Sequence, residues 1–136
     1  MKALWTLQVI ALLLVAAPAS ADRVSAKQAY ERGVKQYNLG EYESALEAFT
    51  SAYDQLPDPA LLYNLAQCHR QLGHARKAIT LYRSYLRESN GAASNAEDVK
   101  KLIAELEQQI AREEAAKKTP PTAMLPPTEP ARSATA

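Results

Sequence analysis

From residue 26 to residue 110 the apolar side chains of this chain recur at three- and four-residue steps, and the steps reset at a few glycines and prolines. Ala26, Ala29, Tyr30, Gly33, Val34 and Tyr37 share one face of a first helix. Tyr42, Ala45, Leu46, Phe49, Ala52, Tyr53 and Leu56 form a broad stripe on a second, with Glu41, Glu43, Glu47 and Asp54 around it, the pattern of an amphipathic helix with one buried side. Gly40 stands between the two and suits the left-handed conformation that ends a helix. A third helix opens well at Asp58-Pro59, because the carboxylate can cap it and proline loses nothing in the first turn. Leu61, Leu62, Leu65, Ala66 and Leu72 make its stripe. Ala75, Ala78, Ile79, Tyr82, Tyr85 and Leu86 make that of a fourth helix, which Asn90-Gly91 stops. A fifth is expected from Ser94, with Glu97 completing a capping box and Val99, Leu102, Ile103, Leu106 and Ile110 on one face. Run to Lys117 or Lys118, it would be about 35 Å long.

The four first helices are two copies of one unit. A shift of 33 residues aligns Tyr30 with Tyr63, Gly33 with Ala66, Leu39-Gly40 with Leu72-Gly73, Ala45-Leu46 with Ala78-Ile79, and Phe49 with Tyr82. The units run from about Ala26 to Asp58 and from Pro59 to Ala92. Small residues at Gly33, Ala45, Ala66 and Ala78 let helices approach to the roughly 8–10 Å of a packed pair. Phe49 and Tyr82 are expected to fill the space between units.

In this register the two units resemble the tetratricopeptide repeat. The first shows Gly33, Ala45, Phe49, Ala52 and Pro57, and the second Leu62, Leu65, Ala66, Ala78 and Tyr82, at the family's positions. There are departures: Ala29 for the bulky residue, Arg32 for leucine, Gln36 and His69 for the helix-one aromatic, Tyr85 for the second small residue, and Asn90 for proline. The resemblance covers Ala26 to about Ala92. It implies an all-α fold: two helix-turn-helix units plus a C-terminal capping helix, in a short right-handed α-solenoid. One unit cannot bury its own apolar face, and about three are usually needed, so the fifth helix is expected to stand in for a third. The resemblance also implies a peptide or protein partner held in a concave groove lined by the first helix of each unit. Carried over by register, the groove residues are Lys27, Tyr30, Val34, Tyr37 and Asn38, then Tyr63, Asn64, Gln67, Arg70 and Gln71. Tyrosines suit such a surface because they combine apolar area with a polar tip. Some members grip a C-terminal carboxylate with a lysine and asparagines. Here only Asn64 matches, with Tyr30 and Val34 in the places of the lysine and first asparagine, so that mode is rejected.

The chain's ends change the picture of where this domain works. Met1-Lys2, the apolar run Ala3 to Ala17, Pro18 and the small residues Ala19-Ser20-Ala21 have the order of a secretory signal over residues 1–21, with the mature chain from Asp22. The run is shorter than the about 20 apolar residues of a membrane span, so a periplasmic or secreted location with no span after cleavage is expected, an uncleaved anchor being the alternative. The structured domain is read as residues 22–118. Residues 119–136 hold five prolines and few large apolar side chains and read as a polyproline-like or disordered tail, either a spacer or a short ligand.

Charge and candidate chemistry narrow the function. Without Lys2 there remain fifteen basic and fifteen acidic side chains, the first being 16 − 1, which disfavours a nucleic-acid partner. The balance is uneven along the chain: four basic and seven acidic residues from Asp22 to Asp58, five and one from Pro59 to Ser94, so a dipolar domain that attracts a charged partner is one reading. Cys68 is the single cysteine, so no disulfide framework exists, and its helical position fits core packing. His69 and His74 are the only histidines, and Gly73 puts a turn between them. With Cys68 they lack the number and spacing of a usual zinc site. There is no phosphate-cradling glycine loop and no nucleophile elbow. No cofactor, no metal and no enzymatic activity are expected. The chain reads as a protein-binding adaptor or scaffold, with cell-envelope assembly as a setting. A self-assembling homo-oligomer and a non-catalytic subunit of an enzyme complex are the alternatives.

Overall fold

A computed structural model describes residues 18–118. The expected signal up to residue 17 and the proline-rich tail, residues 119–136, lie outside the described residues. Five helices follow one another: α1 (Pro18–Asn38), α2 (Tyr42–Gln55), α3 (Pro59–Gln71), α4 (Ala75–Glu88) and α5 (Ala96–Lys118). There is no strand among the described residues. Each helix packs chiefly on the next in sequence, as a solenoid of helical repeats requires.

The two units close their first helix in the same way. Glu41 N–H donates to the Gln36 carbonyl at 2.9 Å and Gly40 N–H to that of Tyr37 at 3.0 Å. Thirty-three residues on, His74 N–H donates to His69 at 2.8 Å and Gly73 N–H to Arg70 at 3.1 Å. These paired bonds satisfy the last carbonyls of α1 and α3, and they need a residue with positive φ after the helix. Gly40 (φ +79°) and Gly73 (φ +75°) supply it. Asp58 caps α3 as expected, its Oδ1 accepting from Ala60 N–H at 2.8 Å with Pro59 in the first turn.

Two buried clusters hold the stack. Ala29, Ala45, Phe49, Ala52, Leu61, Leu65 and Cys68 join α1, α2 and α3. Ala66, Ala78, Ile79, Tyr82, Val99, Ile103 and Leu106 join α3, α4 and α5. Helix α3 serves both, with Leu61, Leu65 and Cys68 on one side and Ala66 on the other. The small residues do what close approach demands. A Cβ on Gly33 would sit 2.6 Å from the Phe49 ring, so the ring of α2 lies directly against the backbone of α1. Cys68 is a fully buried, free thiol, and burial pushes its pKa up to about 11.

Two element boundaries differ from the sequence expectation. Helix α1 begins at Pro18 rather than near Ala26. Proline fits a first turn and nothing from 19 to 25 breaks a helix, while residues 21–25 are all exposed and cover nothing. Helix α5 begins at Ala96, and the Ser94–Glu97 box does not form. Glu97 instead pairs with Lys100 at 2.7 Å, and Asn95 is fixed by Tyr85, whose hydroxyl donates to its Oδ1 at 2.6 Å. That contact gives a reason for Tyr85 where a small residue was expected: it pins the start of the capping helix.

Two of the five basic side chains of the second unit pair with the capping helix. Arg76 pairs with Glu114, and Arg83 with Glu107, both across the α4–α5 boundary. Part of the surplus seen along the sequence is thus met by acidic side chains of α5, while Arg70 and Lys77 make no ion pair among the described residues.

Candidate functional site

Helices α1 and α3 lie side by side, and a cavity of about 430 Å³ opens between them. Tyr30, Val34, Tyr37 and Asn38 line it from α1, and Tyr63, Asn64, Gln67 and Arg70 from α3. On α1, Tyr30, Val34 and Tyr37 fall at i, i+4 and i+7 and so share a face. Their counterparts Tyr63, Gln67 and Arg70 do the same on α3. The structure therefore brings together eight of the ten residues expected in the groove. Lys27 is not among them: it lines an adjoining cavity with Arg23, Leu56 and Asp58 that shares Tyr30 with the groove, and its Nζ lies 3.7 Å from Glu31. It is a full turn further back on α1 than the groove reaches. Gln71 is exposed and reaches the site only at its edge, donating to the Tyr37 hydroxyl at 3.3 Å. Phe49 also lines the cavity, although it was read only as inter-unit filling. The signal for it was Gly33, since a missing Cβ on α1 lets the α2 ring show through.

The aromatic packing repeats from unit to unit. Tyr30 lies 5.9 Å from Phe49, and Tyr63 lies 5.9 Å from Tyr82, ring centre to ring centre, both pairs tilted. Tyr63 also packs on Tyr85 at 5.4 Å. Part of each Tyr30 and Tyr63 ring is therefore spent on packing between the helices of its own unit. Even so, Tyr30 keeps 42% of its surface exposed.

Polar groups on α3 form a chain. The Gln67 amide donates to the Tyr63 hydroxyl at 2.6 Å, and its carbonyl oxygen accepts from Arg70 Nε at 3.1 Å and Nη2 at 2.9 Å. Gln67 thereby holds Arg70 in place while leaving three of the five guanidinium N–H groups free. Arg70 has no carboxylate partner among the described residues, and it is the only charged side chain lining the cavity. The side-chain amides of Asn38 and Asn64 make no hydrogen bond among the described residues. Beneath the site, the Tyr82 hydroxyl is fully buried without a hydrogen-bond partner among the described residues. Burial pushes its pKa up to about 12, while the nearby Arg70 charge opposes that rise without meeting hydrogen-bond geometry. The arrangement can do three things: present aromatic faces, donate hydrogen bonds and offer one uncompensated positive charge.

Outside the groove, His69 and His74 meet across the Gly73 turn, Nδ1 to Nδ1 at 3.2 Å. The Gly73 turn lies between them as expected, and it folds back so that the two rings touch. His69 is buried, and burial, then Lys77 and His74, hold its pKa below the ordinary value of 6.5. No group of three or more His, Cys, Asp or Glu side chains among the described residues could hold a metal ion. No helix among them is long and apolar enough to cross a membrane.

Repeated helical hairpins around small residues, with a polar-aromatic groove along the first helices, define a helical-repeat protein. The family model of the tetratricopeptide repeat matches residues 38–106, just over half of the 136-residue chain, and the chain belongs to that family. Such repeats generally mediate protein–protein interactions, and the fold is typically non-catalytic. The match takes in α5 as far as Leu106, its last buried residue. No curated protein and no solved structure matches the chain.

Proposed function

We propose that this chain is a non-catalytic adaptor that binds a polypeptide in the groove between α1 and α3, and that it works outside the inner membrane, in assembly of the cell envelope. The observation that carries the binding reading is Arg70, a cation held in place by Gln67 on an aromatic surface with no carboxylate to balance it. A partner segment with an apolar or aromatic residue beside an acidic one would complement it, giving a charge-assisted hydrogen bond in a site already partly dry. The compartment rests on the leader-like order of residues 1–21, and the envelope setting on analogy with the family alone. If the leader is removed after Ala21, every residue that lines the groove, from Tyr30 onward, remains.

The test is capture by the immobilised mature chain from an extract of its host, with Arg70→Ala and Tyr30→Ala beside the wild type. Each substitution should weaken capture of a specific partner about thirtyfold, the equivalent of roughly 2 kcal/mol. Glu43→Ala and Lys77→Ala, outside the groove, should leave it unchanged. Capture that is indifferent to Arg70 and Tyr30 but sensitive to Glu43 or Lys77 would place the partner elsewhere. A defined oligomer by light scattering with no partner captured would favour self-assembly instead.

A further inference from the structure

The cavity wall offers hydrogen-bond donors and aromatic faces but no acidic group. Prolines present the opposite character. They carry no N–H, and in the polyproline helix the backbone makes no internal hydrogen bonds, so its carbonyls stay free to accept. Aromatic-lined grooves take such segments with little loss of entropy, because the ligand is already extended. A segment of this kind is covalently attached to the domain. After Lys118 the sequence runs Thr119-Pro120-Pro121-Thr122-Ala123-Met124-Leu125-Pro126-Pro127-Thr128-Glu129-Pro130, and Glu129 is the only acidic residue of positions 119–136.

We propose that the segment Leu125–Pro130 of this same chain occupies the groove, with Glu129 paired to Arg70 and Pro126-Pro127 against the Tyr30 and Tyr63 rings, as an intramolecular ligand that a partner must displace. The proposal rests on the reading of the groove as a polypeptide-binding surface. Two further observations support it. The first is where α5 ends. Lys117 shares a cavity wall with Gly73 and His74, Glu114 pairs with Arg76, and Gly73 N–H donates to the Arg70 carbonyl. The last described turn of α5 therefore lies at the end of the stack where Arg70 sits. Glu129 follows Lys118 by eleven residues, which in polyproline form span about 34 Å. That reach exceeds what the short path from Lys117 through Gly73 to Arg70 requires. The second is charge. The one free cation lining the groove meets the one acid of the segment, and Asn38 and Asn64 offer their unused amides to proline carbonyls.

A tether this short gives an effective concentration on the order of 1 mM, so an intrinsic affinity of only about 100 µM keeps the groove roughly nine-tenths occupied and weakens any competing peptide about tenfold. The test uses the full mature chain, isotopically labelled, with Cys68→Ala and a nitroxide on Ala131→Cys. The amide signals of Tyr63, Asn64, Gln67 and Arg70 should lose at least half their intensity, and the loss should persist on tenfold dilution. Arg70→Glu should abolish it, and adding Glu129→Arg should restore it. Unaffected groove amides, a loss confined to α5, or a loss that scales with concentration and so arises from a second copy would each overturn the proposal. On the chain that keeps Cys68, Glu129→Arg alone should shift the Asn64 and Arg70 signals, and no shift there would count equally against it. Partner capture that depends on Arg70 while these signals stay unaffected would sink the tail and leave the groove reading standing.

Discussion

At the scale of single residues, the two units pose one packing problem and solve it differently. Gly33 and Phe49 in the first correspond to Ala66 and Tyr82 in the second. An alanine in a helix interior is normally favoured over glycine by about 1 kcal/mol. At position 33 the added methyl would meet a ring that is itself 2% exposed and has little room to move. Overpacking of this kind costs about 1–3 kcal/mol, so Gly33→Ala should lower stability in urea by about 1 kcal/mol net, and an unchanged or raised midpoint would show the ring adjusts freely. Tyr82 carries a hydroxyl that nothing satisfies, at the position where the first unit has phenylalanine. Tyr82→Phe should therefore be neutral or stabilising by up to about 1 kcal/mol. It should also change the pH profile. A tyrosine with its folded pKa raised to about 12 favours folding fully below 10 and loses that contribution as pH climbs from 10 to 12. Cys68, raised from 9.0 to about 11, acts in the same direction slightly earlier. His69 acts oppositely: its lowered pKa means the folded form resists protonation, so stability is lost as pH falls below 6.5. Urea midpoints should thus be highest between about pH 7 and 9, and Tyr82→Phe should flatten only the alkaline side. The small-residue positions were legible in the sequence because they repeat. The His69–His74 contact was not, since it depends on how the Gly73 turn folds back, and turn signals tell where a chain bends but not which side chains then meet.

At the scale of elements, the capping helix can be weighed by its parts. It meets α4 through a buried row and through two ion pairs. Ile103 belongs to the row, and Ile→Ala in a core costs about 2–4 kcal/mol. Arg83–Glu107 is half exposed on both sides, and such pairs contribute at most about 1 kcal/mol. Ile103→Ala should therefore lower the thermal midpoint well beyond Arg83→Ala. The opposite ranking would mean that α5 is held by charge. Truncation before Ser94 would uncover Ile79 and Tyr82 and should cause aggregation or a large loss of stability, whereas truncation after Lys118 should not. All five helices and the two glycine closures were readable from periodicity and turn chemistry. The starts of α1 and α5 were not. Proline at 18 looked like a break in an apolar run and is instead a first-turn residue, and the Ser94-x-x-Glu97 pattern lost to the Tyr85–Asn95 hydrogen bond, which links residues ten apart.

At the scale of the molecule, register arithmetic located the wall of the groove because first helices of successive units stand side by side, so that one residue per turn must face the same way. It placed Lys27 in the same wall, whereas Lys27 lines the adjoining cavity on the far side of Tyr30, and among the described residues no unit precedes α1 to extend the groove. Tyr37 is a mixed case. It packs on the first core cluster and edge-on against Tyr42 at 5.3 Å. Tyr37→Ala should accordingly weaken both binding and folding, and Arg70 is the cleaner probe of binding.

Among the described residues the stack is covered at one end only. Helix α5 shields the second unit, but α1 packs chiefly on α2 and its outer side faces water, with Val24 58% exposed. In a protein whose stability is summed over neighbouring elements, the element with one neighbour opens first. Amide exchange should therefore be fastest in α1, slower in α2 and slowest in α3, which belongs to both clusters. Yet α1 supplies half the wall of the groove. A ligand that spans from Tyr30 to Arg70 would bind only the closed form and would slow exchange in α1 in proportion to its occupancy. Recognition and local folding would then be one equilibrium, and the affinity of the groove could be tuned by substitutions on the outer side of α1 that never touch the ligand.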